Sequence, residues 1–142
     1  MRIRRDALDT ILGHARRDSP NECCGLLIGT TNDLIEAVPT TNVAGDPRRR
    51  YEVSPAEHVA QIRRCRQLSG DVASGVSRKL QVVGVYHSHP RSSPEPSPTD
   101  WEQALERFLY VIAGPVDGAA AIEVRGYSLS GGRFARVELI ES

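Results

Sequence analysis

Two histidines separated by a single residue, His87-Ser88-His89, close an apolar run that reads as a β-strand, Leu80-Gln81-Val82-Val83-Gly84-Val85-Tyr86. Side chains alternate with period two along a strand, so both imidazoles project to one side and can reach a single cation. A third ligand has to come from elsewhere, and Asp100 is the candidate: it opens a segment that the proline-rich stretch after His89 brings back toward the strand end. Two histidines and one carboxylate, with the fourth position left to solvent, make a catalytic zinc set. Water polarised by such an ion needs a proton acceptor. Glu22 stands just before a second apolar run and is the candidate general base. Ser97 is a further polar group whose hydroxyl can donate to an oxygen that gains charge during attack on a carbonyl.

Each of these residues also has a plainer reading. Paired histidines on a strand are often surface or capping groups. Ser97-Pro98-Thr99-Asp100 makes a good helix N-cap with no metal at all. A lone glutamate before a strand is commonly a solvated loop residue. The combination is more specific than any of its parts.

The elements that must carry these residues follow from periodicity. Leu8, Ile11, Leu12 and Ala15 form one face of an amphipathic helix, which Asp18-Ser19-Pro20-Asn21 ends. Cys23 to Gly29 reads as a buried strand, Leu34 to Val38 as its neighbour, and Tyr51 to Val53 as a short strand. Ser54-Pro55-Ala56-Glu57 opens a helix, with a capping residue, a first-turn proline and a glutamate at the capping-box position. That helix runs to Leu68 and stops near Gly70, and residues 69 to 79 read as a loop. Prolines 90, 94, 96 and 98 predict a stiff extended loop. A helix from Ser97 with Trp101, Leu105, Phe108 and Leu109 on its apolar face comes next. Strands are expected at Leu109 to Ala113, Ala119 to Val124 and Arg133 to Ile140, the last after a Gly131-Gly132 turn. The class is α/β or α+β: a mixed β-sheet flanked by helices, one domain over residues 1–142.

Composition narrows the function further. The 142 residues suit one core, and 18 basic against 18 acidic residues give zero formal charge. A dedicated nucleic-acid binder would carry a basic excess. Three cysteines, an odd number, point to a reducing compartment, and no run approaches the roughly 20 apolar residues of a membrane span. The expectation is a cytoplasmic protein with no membrane or nucleic-acid partner. Cys24 reads as core and Cys65 as packing on its helix, while neighbouring Cys23 and Cys24 point oppositely and cannot easily share a metal. His14 and His58 read as solvated, Trp101 as core, and Arg48-Arg49-Arg50 as a solvated run with a second reading as a contact for an acidic carrier.

The string His87-Ser88-His89-Pro90, six residues, Ser97, two residues, Asp100 resembles the signature of the JAMM (MPN-plus) metallopeptidases, H-[ST]-H-P-x6-S-x2-D. Glu22, before Cys23 to Gly29, resembles that family's early catalytic glutamate, so the likeness spans about residues 1 to 115. It implies one zinc ion per chain on His87, His89 and Asp100, Glu22 as general acid and base, and Ser97 hydrogen-bonded to the substrate oxygen or the catalytic water. It implies hydrolysis after the C-terminal Gly-Gly tail of a ubiquitin-like or sulfur-carrier protein, at a peptide or isopeptide bond. An alternative within the same chemistry is release of a C-terminal amino acid such as cysteine from a sulfur carrier. A second alternative is a non-catalytic scaffold. A Gly-Gly tail is thin, and pairing with an exposed strand edge is the expected way to hold it.

Overall fold

The computed structural model describes residues 1–69, 79–105 and 107–142; most of the predicted loop at 69–79 lies outside the described residues. In chain order the elements are β1 (Arg2–Ile3), α1 (Arg5–Asp18), β2 (Cys24–Gly29), β3 (Asp33–Thr40), α2 (Pro55–Ser69), β4 (Gln81–Ser88), α3 (Pro98–Gln103), β5 (Leu109–Gly114), β6 (Glu123–Ser130), β7 (Arg133–Val137) and β8 (Ile140–Glu141). They form the expected mixed sheet, in the order β7-β6-β5-β4-β2-β3-β1-β8. β4 runs parallel to β5 and antiparallel to β2. β7 and β8 stand at opposite ends of that order, yet only residues 138 and 139 separate them. An extended chain covers at most about 3.3–3.6 Å per residue, so the sheet curls until its ends nearly meet.

Period-two alternation sorts the core onto two faces. Leu27, Tyr86, Leu109, Val111 and Ala113 pack with Ile3 and the α1 residues Ala7, Ile11 and Ala15. Leu26, Val85, Tyr110, Ile112 and Tyr127 pack on the other face, with Tyr51, Val53 and Phe134 against them. Both faces of the central strands are covered, which is why β2 and β5 read as unbroken apolar runs.

Several expectations need correction. His14 is not solvated but only 4% exposed. It lies three residues past Ile11, on the buried stripe of α1, where both ring nitrogens find partners: Tyr86 Oη at 2.7 Å and Asp18 at 3.1 Å. His58 is half-buried. The helix expected to continue from Ser97 to Leu109 stops at Gln103, because Phe108 and Leu109 are drawn toward the sheet, where Leu109 pairs with Gly84. Trp101 and Leu105 are therefore 44% and 59% exposed, Trp101 resting edge-on against Phe134.

Strand β6 starts at Glu123, four residues after the predicted Ala119, and runs on to Ser130; Gly126, Ser128 and Ser130 mask its alternation in the sequence. The predicted strand from Arg133 to Ile140 divides, β7 pairing with β6 and β8 crossing to pair with β1. The turn between β6 and β7 is as expected: Gly131 and Gly132 have φ of 59° and 75°, the values a two-residue hairpin loop demands. Of the short strand at Tyr51 to Val53, only a bridge between Val53 and Asn42 forms. Glu57 does not close a capping box on Ser54; its carboxylate accepts from Thr41 N at 3.0 Å. β2 and β4 are each paired on both sides, so the strands next to the histidines offer no free edge to a substrate tail.

Candidate metal centre and active site

Three segments converge at the C-terminal end of β4. His87 lies on the face that carries Val85, and its ring stacks on Tyr51 with centroids 4.2 Å apart. His89 follows just past the strand, its backbone N–H donating to Ala113 O at 2.8 Å. The proline loop does not run extended as expected. It folds back, so that His89 Nδ1–H donates to Ser93 O at 2.8 Å and Tyr127 Oη donates to Pro94 O at 2.9 Å. A Cβ on Gly114 would lie 2.7 Å from the carbonyl oxygens of both His89 and Ser92, so only glycine lets this loop seat on the end of β5.

The loop delivers Asp100 to the histidines through a capping box. Ser97 Oγ accepts from Asp100 N at 3.1 Å, and Ser97 N donates to Asp100 Oδ2 at 2.8 Å. The cap anticipated from the sequence and the placement of Asp100 are thus one device. Asp100 Oδ1 lies 3.2 Å from His87 Nε2, Asp100 Oδ2 lies 3.3 Å from His89 Nε2, and the two Nε2 atoms are 3.2 Å apart.

These spacings test the site for a cation. Tetrahedral coordination with bonds of about 2.0–2.1 Å sets ligand atoms about 3.3 Å apart; each of the three contacts is close to that, the two carboxylate contacts being made by different oxygens of Asp100. The bond from His89 Nδ1 to Ser93 O fixes the tautomer that leaves Nε2 with a free lone pair, as metal-binding histidines require. His87 is fully buried, and burial pushes its pKa down toward the neutral imidazole a metal needs. Burial alone would raise Asp100, but its closeness to His87 and His89, with the Ser97 backbone N–H, outweighs that and holds the carboxyl well below the usual carboxylate range. The donor set fits a divalent zinc-type ion.

Glu22 stands beside these donors. Ligand atoms of Glu22, His87 and His89 lie within 4.8 Å of one another. Only 7% of Glu22 is exposed, and burial pushes its carboxyl up to about 7, with Asp100 adding to the effect and His89 opposing it. Glu22, His89 and Ser97 share the wall of a cleft of about 390 Å3.

Two positioning residues escaped the sequence reading. Ser88 Oγ accepts from Cys23 N at 2.8 Å, while Ser88 N donates to Cys23 O at 3.2 Å, so the residue between the histidines clamps the one beside Glu22. Asn42 satisfies its whole amide on backbone groups. It donates to Glu22 O and Arg50 O and accepts from Ala44 N and Glu52 N, each at 3.0 Å. Glu22 N also donates to Pro47 O at 2.7 Å, so the segment 43–52 is bound to the backbone of the acidic residue. No sequence pattern marks an asparagine 20 residues from the group it holds. The cysteines are reduced and buried, and burial pushes the thiols of Cys23 and Cys24 up to about 12 and about 11.

Comparison with known proteins adds the relationship. The family model described as prokaryotic homologs of the JAB domain matches residues 4–125. The chain is 41% identical over 128 residues to the desampylase of Haloferax volcanii, covering 85% of each chain. It is 30% identical over 119 residues to a probable TtuB-protein conjugate cleaving protease of Thermus thermophilus, covering 84% of this chain and 72% of that one. It is 30% identical over 132 residues to the CysO-cysteine peptidase of Mycobacterium tuberculosis, covering 92% and 83%. In fold it resembles a protein from Desulfitobacterium hafniense solved in solution, with TM-score 0.81, 22% identity and coverage of 100% and 93%. It also resembles a structure described as a JAMM metalloprotease-like zinc site, with TM-score 0.58, 22% identity and coverage of 100% and 97%. Family match, complete signature and peptidase relatives together place the chain among the small prokaryotic members of the JAMM (MPN-plus) family, as a JAMM-type peptidase.

Proposed function

We propose that this protein is a zinc-dependent deconjugating peptidase that cuts the bond after the C-terminal Gly-Gly tail of a ubiquitin-like or sulfur-carrier protein. His87, His89 and Asp100 would hold one zinc ion. Bound there, the ion supplies a Lewis acid for the scissile carbonyl and lowers the pKa of water toward roughly 7. Glu22 takes the proton of the attacking water and returns it to the departing nitrogen. Burial disfavours the charged form of this carboxyl, which suits it to hold a proton and give it back. Ser97 spends its oxygen lone pair on Asp100 N, which leaves its O–H to donate to the carbonyl oxygen.

The observation that carries this reading is the convergence of His87 Nε2, His89 Nε2 and the Asp100 carboxylate, with contacts of 3.2–3.3 Å and a buried carboxyl beside them. The relatives supply the substrate class: three are named for removing or processing protein conjugates or carrier-linked cysteine. Release of a C-terminal amino acid such as cysteine from a sulfur carrier uses the same residues and is the second form of the proposal. A scaffold role would give the buried Glu22 no purpose. The test is incubation of the zinc-supplemented protein with candidate carriers, both as isopeptide conjugates and as linear extensions, followed by intact-mass measurement. Cleavage after Gly-Gly that a chelator abolishes is expected. Carriers and conjugates all left intact would overturn the proposal.

A further inference from the structure

The cleft that holds Glu22, His89 and Ser97 is also lined by Arg48, Arg49 and Arg91. In a chain of zero formal charge, three guanidinium groups at one mouth are a local excess. Two of the three have a carboxylate within 4.0 Å, and neither contact is short. The Arg48 guanidinium has no ion-pair or hydrogen-bond partner among the described residues. Arg49 reaches Asp46 only at 4.0 Å, with its side chain 86% exposed. Arg91 shares Asp117 at 3.4 Å, and that carboxylate also accepts a hydrogen bond from Ser19. The arginines are not a floating run either. Arg48 and Arg49 lie in the segment that Asn42 and the Pro47 carbonyl tie to Glu22, and Arg91 directly follows the His89-Pro90 pair. Basic residues of two separately anchored loops therefore line the same cleft.

Resting on the function proposed above, we infer that this arginine wall is a carboxylate subsite, which selects substrates carrying a negative charge within a residue or two of the scissile bond. Arginine forks match carboxylate geometry, and a concave site concentrates their field. The carboxylate has two possible sources. One is the free α-carboxylate of a single residue attached after Gly-Gly, which makes the protein an exopeptidase on linear tails. The other is an acidic side chain of the carrier just before Gly-Gly. An isopeptide to a lysine of a large target presents no α-carboxylate at that place.

Binding separates these sources without relying on turnover. Peptides labelled at the N-terminus and ending in Gly-Gly plus one residue are made as free acid and as C-terminal amide, each with aspartate or asparagine before Gly-Gly. Their affinity for the zinc-supplemented Glu22→Gln protein is read by fluorescence anisotropy. A preference of about tenfold for the charged member of one pair is expected, shrinking as salt rises. The preference should disappear in Arg48→Ala/Arg49→Ala, with Arg91→Ala weakening it. A preference for acid over amide assigns the α-carboxylate; one for aspartate over asparagine assigns the carrier side chain. Equal affinity within both pairs, absence of binding, or a preference that survives removal of the arginines would overturn the subsite. Failure of cleavage with a normal charge preference would instead count against the hydrolase reading alone.

Discussion

The buried carboxyls admit two assignments of the metal ligands, and replacing Glu22 by glutamine decides between them. Glu22 and Asp100 both lie close to His87 and His89. The two Nε2 atoms lie 3.2 Å apart, and the two Asp100 oxygens lie 3.2 and 3.3 Å from His87 and His89 respectively, close to the spacing that bonds of about 2.0–2.1 Å produce. On that assignment Glu22 is the neighbour that would handle the proton. Glutamine keeps its size and the backbone bonds to Asn42 and Pro47 but cannot accept a proton. Loss of a general base costs about 10²–10⁴ in rate, which is roughly 3–5 kcal/mol at 1.36 kcal/mol per tenfold. Zinc stoichiometry by elemental mass spectrometry should stay at one per chain, and chelator competition should show affinity changed by less than about tenfold. Asp100→Asn should lose the metal. The acid limb of the pH profile gives a second reading of the same group. Burial puts Glu22 at about 7 without a cation, and a nearby cation favours the charged form, so the limb should lie below pH 7 and vanish in Glu22→Gln. A Glu22→Gln protein that loses its zinc, or that turns over as fast as the parent, would refute this reasoning.

Other perturbations probe the frame around the site. Tyr86→Phe removes the partner of a buried His14 nitrogen and should cost about 1–3 kcal/mol in chemical denaturation. His14 is held below its ordinary 6.5 by burial, so the stability that depends on its neutral form is present above pH 6.5 and is lost as pH falls further; the melting temperature should drop in that direction. Gly114→Ala would drive a methyl to within 2.7 Å of two carbonyl oxygens, so zinc affinity and turnover should both fall as the His89 loop lifts, while far-ultraviolet circular dichroism keeps its shape. Cys23 and Cys24, with thiols pushed up to about 12 and about 11, should stay silent to a thiol reagent at pH 8 until the chain is unfolded, when three thiols should react.

The convergence of His87, His89, Asp100 and Glu22 was legible because a metal-ligand pattern fixes both residue type and spacing. His87 and His89 must share a strand face, and Asp100 must follow a cap, so the pattern survives in one dimension. Strands β2, β4 and β5 were legible for a similar reason: covered on both faces, they leave continuous apolar runs. What failed depended on distant partners. His14 looks like a solvated helix residue until Tyr86 arrives from β4 to satisfy it. Trp101 looks like core until the sheet claims Phe108 and Leu109 and cuts its helix short. The split of the last strand follows from the curl of the sheet, which no local pattern encodes. Ser88 and Asn42 act on backbone atoms, and backbone atoms leave no trace in residue types.

The four bonds of Asn42 have a mechanical meaning. A single rigid amide joins the arginine-bearing arm to the main chain of the acidic residue, so the arm cannot swing without tugging on it. On the proposed function, docking of a tail and readiness of the proton acceptor would thereby be geared together, and a visitor that failed to settle the arm would leave the chemistry out of alignment.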